Sequence, residues 1–191
     1  MAQAKTLSAI EMQQLLDYVD TRKYAARNRA MLLLTHLAGL RVGEVACLRW
    51  CDVTTNESKV KDEIRLLPEM TKGRQPRTVF INARLKAELE AYVAQAHCVD
   101  RQYPLFASQK SVCVGFSANS LAQSFAQLYA GAGLDGASSH SGRRTFLTNL
   151  ANQGIAIHLL KTLAGHRSIQ TTAAYLYSSP NLLKAAVELA T

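Results

Sequence analysis

The spacing of apolar residues changes only once along this chain, between residues 63 and 81. There, Glu63–Met70 and Arg77–Ile81 are strand-like runs separated by the turn-forming sequence Thr-Lys-Gly-Arg-Gln-Pro, which predicts a β-hairpin. A third short strand is expected near Asp52–Thr55, and Pro68 indicates an edge position or a bulge. Everywhere else the apolar spacing is helical. We therefore predict a mainly α (α+β) fold with a small antiparallel hairpin or three-stranded sheet.

Helical segments are predicted on both sides of the hairpin. Ser8 can cap the first, and Glu11, three residues later, can complete a capping box; Gly39 stands where a helix usually ends. The predicted helices are 8–19, Asn28–Ala38, Val42–Trp50, Ala83–Cys98, Ala118–Ala130, Ser141–Asn152, Ile157–Ala164, Ile169–Tyr177 and a last one after Pro180. No linker-like stretch interrupts them, so a single domain over residues 1–191 is expected.

Composition excludes several classes of protein. Hydrophobic residues make up 48% of the 191 residues and charged residues 19%, a balance that excludes wholesale disorder. No apolar run approaches the roughly 18 residues of a membrane span, and the N-terminus lacks the apolar core of a secretory signal. The four cysteines include no CxxC pair, which indicates reduced thiols. We expect a soluble cytoplasmic protein with no membrane partner and no bound metal.

The chain is basic, and its charge is unevenly distributed. Lys and Arg number 22 against 14 Asp and Glu, a formal net charge of +8. Residues 101–191 hold seven basic side chains and two acidic ones. A positive field attracts polyanions, and nucleic acid is the commonest polyanion inside a cell. Charge alone also fits a merely soluble basic protein.

Three short segments outside the hairpin carry residues that could act on a phosphate. Arg41 falls between two predicted helices, where it either caps the second helix or offers its planar guanidinium to an anion. His140 and Arg143 have the i, i+3 spacing of one helix face, although such pairs also arise by chance. His166 lies in a predicted joint and Tyr175 on the next helix; singly, they fit a capping histidine and a packed aromatic.

Together and in order, these segments resemble the catalytic domain of the tyrosine recombinases, the phage integrase family. The resemblance extends over residues 5–180, and five matches in register are far more specific than any one of them. The matching segments are the arginine box in Thr35–Trp50, the hairpin lysine in Thr71-Lys-Gly, the apolar landmark Pro104–Ser108, the HxxR motif His140-Ser-Gly-Arg143, and the "LGH…TTxxY" ending in Leu163–Tyr175.

The chain departs from the family pattern in two respects. The usual HxLRH reads His-Ser-Gly-Arg-Arg, and we expect Gly142 to add flexibility beside Arg143 and Arg144 to add a phosphate contact. The sequence also begins where the catalytic domain of relatives begins. The N-terminal core-binding domain that clamps DNA in most relatives is therefore expected to be absent.

The resemblance implies six catalytic residues: Arg41, Lys72, His140, Arg143, His166 and Tyr175. Tyr175 would attack a phosphodiester to form a 3′-phosphotyrosyl bond, while the two arginines stabilise charge on the non-bridging oxygens. Lys72 would protonate the leaving 5′ oxygen. His140 and His166 would accept the tyrosine proton or donate hydrogen bonds to the phosphate, and the sequence does not divide these roles. Because the phosphotyrosine keeps the bond energy, rejoining should need no ATP. Because arginines replace a metal, no Mg²⁺ is expected, and no other cofactor is implied.

Further residues are given supporting roles. Glu44, three residues after Arg41, either orients a guanidinium or forms a solvent-facing salt bridge. The polar side chains of helix 118–130 suit either a DNA groove or plain solvent. Contacts to the DNA backbone are expected from other basic residues, namely Arg22, Lys23, Arg27, Arg29, Lys161 and Arg167.

The leading functional prediction is a site-specific DNA recombinase or integrase, of bacterial or phage origin and associated with the nucleoid. Its partner would be double-stranded DNA, bound as a homo-oligomer, either a dimer or a tetramer. The apolar stripe in Asn181–Thr191 fits docking on a neighbouring protomer and packing on its own domain equally well. The alternatives are a type IB topoisomerase-like relaxing enzyme and a non-catalytic DNA-binding accessory protein. All six reactive residues are present, which argues against the accessory protein.

Overall fold

The computed structural model describes residues 4–71, 73–175 and 187–188. Within them the chain is mainly helical with a small antiparallel sheet, as the apolar spacing predicted. The helices are α1 (Ala9–Asp20), α2 (Ala25–Ala38), α3 (Val42–Cys47), α4 (Trp50–Val53), α5 (Ala83–Gln95), α6 (Ala118–Gly131), α7 (Ser141–Asn152), α8 (Ile157–Ala164) and α9 (Ile169–Ala173). Strands β1 (Glu63–Leu66) and β2 (Arg77–Phe80) pair with Glu63 opposite Phe80. None of the described helices is both long and apolar enough to cross a membrane.

The structure corrects the prediction on both sides of Leu48. The expected helix over Val42–Trp50 is divided into α3 and α4, because Leu48 adopts an extended conformation with ψ 136°. The strand expected near Asp52–Thr55 is wrong, since Asp52 and Val53 belong to α4, and the Asp52 carboxylate accepts a hydrogen bond from the backbone N–H of the N-cap residue Arg49. Thr54 forms only an isolated bridge with Val60.

Other predicted boundaries shift by a few residues. Pro68 follows β1 and opens a 3₁₀ turn over Pro68–Met70, where a missing N–H costs nothing. α9 ends at Ala173 rather than at Tyr177. The helix predicted after Pro180 lies outside the described residues except for Val187–Glu188, which are helical and exposed.

Helix α2 forms the centre of the core. Its residues Met31, Leu32, Leu33 and Leu34 are all fully buried. Four consecutive apolar residues cover every side of one helical turn, so this stretch belongs in an interior. It packs against α5 and α7. Helix α1 packs against α2, and α6 packs against α1 and α3. Helix α8 contacts α7 and β2, while β1 contacts α4.

Close contact between α7 and α2 depends on two glycines. A Cβ at Gly142 would lie 2.1 Å from Oγ1 of Thr35, and one at Gly39 would lie 2.5 Å from the ring of Phe146. Gly39 also has φ +65°, a conformation that favours glycine. Gly142 is therefore required for packing, a role that the sequence did not indicate. The contact places Arg143 beside the end of α2.

Candidate active site

Arg41 is placed by the end of one helix and the start of another. It is the N-cap of α3, two residues after the α2 stop at Gly39. The carboxylate of Glu44 accepts hydrogen bonds from the Arg41 backbone N–H at 2.7 Å and from Nη1 at 2.9 Å. Glu44 is 1% exposed. Of the two roles left open for Glu44, the structure supports the one that orients a guanidinium.

Arg77, at the start of β2, was missed in the sequence. Its Nη1 and Nη2 donate to the two carboxylate oxygens of Glu44 at 2.6 and 3.0 Å, and its side chain is 7% exposed. No motif marks Arg77, because the pairing joins residues 33 positions apart. The one feature in the local sequence that could have indicated Arg77 is its position, as a charged residue at the first position of the second predicted strand.

Arg143 joins three parts of the fold. It is 5% exposed on the first turn of α7. Its Nη1 donates to the Gly39 carbonyl at 2.6 Å and its Nη2 to the Ala164 carbonyl at 2.5 Å. Nη2 also lies 3.1 Å from Nε2 of His166. These contacts connect the ends of α2 and α8 to the joint before α9.

The tautomer of His166 follows from its neighbours. Arginine has no acceptor, so Nε2 of His166 must accept from Arg143. Nδ1 then carries the proton and donates to Oγ1 of the buried Thr172 at 3.0 Å. The ring of Tyr175 stacks on the imidazole with centroids 5.8 Å apart and planes at 21°. His166 therefore lies between the candidate nucleophile and a buried guanidinium.

Burial and, after it, neighbouring charges shift the pKa values in this region. Burial, followed by the charges of Arg41 and Arg77, lowers the pKa of Arg143, which nevertheless stays protonated as arginines in proteins do. Burial and then the charges of Arg143, Arg41 and Arg77 lower the pKa of His166 to about 4. Burial acts to raise the pKa of Glu44, but the hydrogen bonds and charge of Arg77, and then those of Arg41, bring it below its ordinary value. His166 is therefore neutral and Glu44 ionised at neutral pH.

Five of the six predicted site residues line one cleft of about 610 Å³. His140 is exposed and precedes α7 as its N-cap, so it reaches the cleft from the rim rather than from the helix face expected for an HxxR pair. None of the described side chains lining the cleft is acidic. The lining residues are Ala4, Arg41, Gly136, Ser138, His140, Arg143, Arg144, His166, Thr171 and Tyr175.

Lys72 lies outside the described residues. Its neighbours Thr71 and Gly73 line an adjoining cavity of about 230 Å³ that Arg41 also lines. Arg167, expected to contact DNA, donates from Nη2 to the Gly73 carbonyl at 2.5 Å. The hairpin turn is thus anchored to the joint that carries His166.

The basic cluster at the start of α2 is largely occupied by protein contacts. Arg29 donates from Nε and Nη2 to Glu88 at 2.7 and 2.8 Å, and from Nη1 to Asp20 at 2.9 Å. Arg27 donates to the Ala107 carbonyl at 2.7 Å. Arg27 and Arg29 thus already have protein partners, and the DNA contacts expected of them stay predictions.

Comparison with known proteins assigns the family. Residues 5–181, most of the chain, match the model of the phage integrase family. This chain belongs to the phage integrase family. The resemblance noted in the sequence is confirmed, and three of its five motifs contribute residues to the cleft.

Several relatives from this family are similar over nearly the whole chain. Tyrosine recombinase XerD of Rickettsia bellii is 29% identical over 191 residues, covering 95% of this chain and 62% of that protein. XerD of Xanthomonas axonopodis pv. citri is 33% identical over 187 residues, or 90% of this chain and 57% of that protein. This chain therefore spans about 60% of the length of these relatives.

Solved structures show that the fold is shared. The crystal structure of XerA recombinase superposes with a TM-score of 0.76 at 22% identity, over 99% of this chain and 66% of that one. XerH site-specific recombinase, bound to a palindromic difH substrate in a post-cleavage complex, gives a TM-score of 0.71 at 22% identity, over 95% and 51% of the two chains. The described helices and hairpin thus have the architecture of these recombinases.

Proposed function

We propose that this chain breaks and rejoins DNA at specific sites through a 3′-phosphotyrosyl intermediate. The observation that carries the proposal is the arrangement Arg143–His166–Tyr175, in which a guanidinium, an imidazole and a phenol follow one another in a cationic cleft. Arg41 lines the same cleft. A phosphodiester is the substrate that such a set of groups would recognise, because guanidiniums form bidentate hydrogen bonds with phosphate oxygens.

The proposed reaction begins with attack of the Tyr175 phenol oxygen on phosphorus. Arg41 and Arg143 stabilise the charge that spreads over the non-bridging oxygens. His166 is neutral and can accept the phenol proton once Arg143 turns its donors to the phosphate. His140, at the rim, remains a second candidate for this proton.

The bond to the 5′ oxygen breaks as the phosphotyrosyl bond forms. Lys72 would give that oxygen its proton, which leaves a 5′-hydroxyl. The reverse attack, by a 5′-hydroxyl on the phosphotyrosine, rejoins DNA without ATP. Exchange of strands needs more than one duplex and more than one active site, so we propose a dimer or tetramer on DNA. The complexes of XerH with difH and of the Tn1549 transposon integrase with circular intermediate DNA support DNA as the partner.

Covalent capture tests the proposal. Nicked duplexes tiled from DNA that flanks the gene should trap a protein–DNA adduct in EDTA, and Tyr175→Phe should abolish it. Tyr177→Phe is the matched control, since it removes a hydroxyl two residues away and should leave the adduct intact. An adduct mapped to Tyr177 by mass spectrometry, or no adduct with any duplex, would overturn the proposal. Relaxation of plasmids without exchange between two sites would favour the topoisomerase-like activity.

A further inference from the structure

We infer that Arg77 is a positioning residue of this active site. In our proposal it neutralises the buried carboxylate of Glu44 and so leaves the positive charge of Arg41 available to the substrate. The inference rests on the proposed function, because it takes a DNA phosphate to be the group that Arg41 binds. The property it assigns to Arg77 can also be measured without DNA.

The geometry gives the two arginines different positions around one carboxylate. Arg77 contacts both oxygens of Glu44 from the interior, with its side chain 7% exposed. Arg41 contacts one oxygen through Nη1, and its side chain is 29% exposed. In the described part of the chain, this is the one side-chain hydrogen bond of Arg41. Its Nε and Nη2 are thus left as donors toward the cavities that it lines.

Charge balance gives Arg77 its importance. Two guanidiniums around one carboxylate leave one positive charge, and the more exposed guanidinium is the one that faces the cleft. Without Arg77, the carboxylate of Glu44 would be buried with Arg41 as its only described cation. A buried carboxylate is strongly stabilised by a paired cation, so Arg41 would be drawn inward and its charge neutralised.

Arg77 also contacts the joint that presents His166. A Cβ at Gly165 would lie 2.7 Å from Cδ of Arg77, so the glycine lets this side chain lie against the end of α8. Gly165 has φ +60°, which independently favours glycine there. Arg77 therefore connects β2, the carboxylate beneath Arg41 and the residue before His166.

Single-turnover cleavage of a nicked duplex tests the inference with four proteins: wild type, Arg77→Met, Arg77→Lys and the double variant Arg77→Met/Glu44→Gln. Arg77→Met should slow cleavage by about 10²-fold, the cost of a misplaced catalytic group. Arg77→Lys keeps the charge and should lose less. The double variant removes the carboxylate together with its partner, so it should cleave faster than Arg77→Met. Thermal unfolding confirms that each variant is folded.

Phenylglyoxal labelling of Arg41, followed by peptide mass spectrometry without DNA, gives a readout independent of cleavage. Labelling should fall in Arg77→Met and return in the double variant. This pattern in a protein that cleaves no DNA would sustain the role of Arg77 and refute the proposed function. Unchanged labelling, with a double variant no faster than Arg77→Met, would overturn the role of Arg77 and leave the proposed function intact.

Discussion

The arginines of the cleft and those at the start of α2 differ in the acceptors that the fold places around them. At the cleft, Arg41 shares the single carboxylate of Glu44 with Arg77, whose side chain is buried and does not line the cleft. On α2, Arg29 alone is paired with two carboxylates, Asp20 and Glu88. Both regions contain several arginines. From this difference we infer that the supply of carboxylates, rather than the number of arginines, determines which guanidiniums keep their charge for a phosphate.

The largest effect expected from this comparison is on Arg143. Arg143→Ala should slow single-turnover cleavage by about 10³–10⁵-fold, the range for an arginine that stabilises a phosphoryl transition state. Arg29→Ala is the contrasting variant and should cleave within a few-fold of wild type once folding is confirmed by circular dichroism. Comparable losses for the two variants would contradict the distinction between the regions.

A second test separates the leaving group from the non-bridging oxygens. Lys72→Ala should slow cleavage by about 10²–10⁴-fold, as expected for loss of a general acid. The rate should recover on a substrate whose 5′ bridging oxygen is sulfur, since a thiolate leaves without a proton. Arg143→Ala should not recover on that substrate. If Lys72→Ala stays equally slow with sulfur, Lys72 is a phosphate ligand or a structural residue.

Protein stability should depend on pH through His36, a buried base on α2. Burial lowers its pKa from 6.5 to about 4, and its Nε2 lies 3.1 Å from the hydroxyl of Tyr129. The unfolded chain binds a proton that the folded chain excludes, so the stabilisation is complete above pH 6.5 and is lost as pH falls toward 4. The loss should reach about 3 kcal/mol.

Urea unfolding of wild type and His36→Leu between neutral pH and pH 4 measures this contribution. Carboxylates titrate in both proteins, so the difference between the two curves isolates His36. The variant should lose less stability on acidification. Parallel curves would show that His36 is not the source of the pH dependence.

The smallest effect concerns Arg29. Arg29→Ala should lower the free energy of unfolding by about 1–2 kcal/mol, between the values for exposed and buried ion pairs. Arg22, which is exposed on the same segment, is the control, and Arg22→Ala should change stability by less than about 0.5 kcal/mol. If Arg29→Ala leaves stability unchanged but weakens DNA binding, Arg29 binds DNA, as proposed for the arginines of the cleft, and does not stabilise the fold.

The parts of the fold that could be predicted are those set by local interactions. Ser8 and Glu11 form the predicted capping box, and α7 and α8 have the predicted bounds, because caps and apolar spacing act within a few residues. The division of α3 from α4 depends instead on Leu48, which is fully buried. No short-range pattern indicates that this residue leaves the helix to fill the core.

The sequence by itself determined the helical character of the chain, its hairpin and the residues of the family motifs, because each of these depends on residues close together in the sequence. Only the tertiary structure decided how those residues act together. Gly142 proved to be a packing requirement because Thr35 lies against it, and Arg77 belongs to the site because Glu44 meets it across 33 positions. Burial and pairing between distant segments determine the charge available on Arg41, the tautomer of His166 and the exposure of each arginine. The spacing of neighbouring residues does not contain this information.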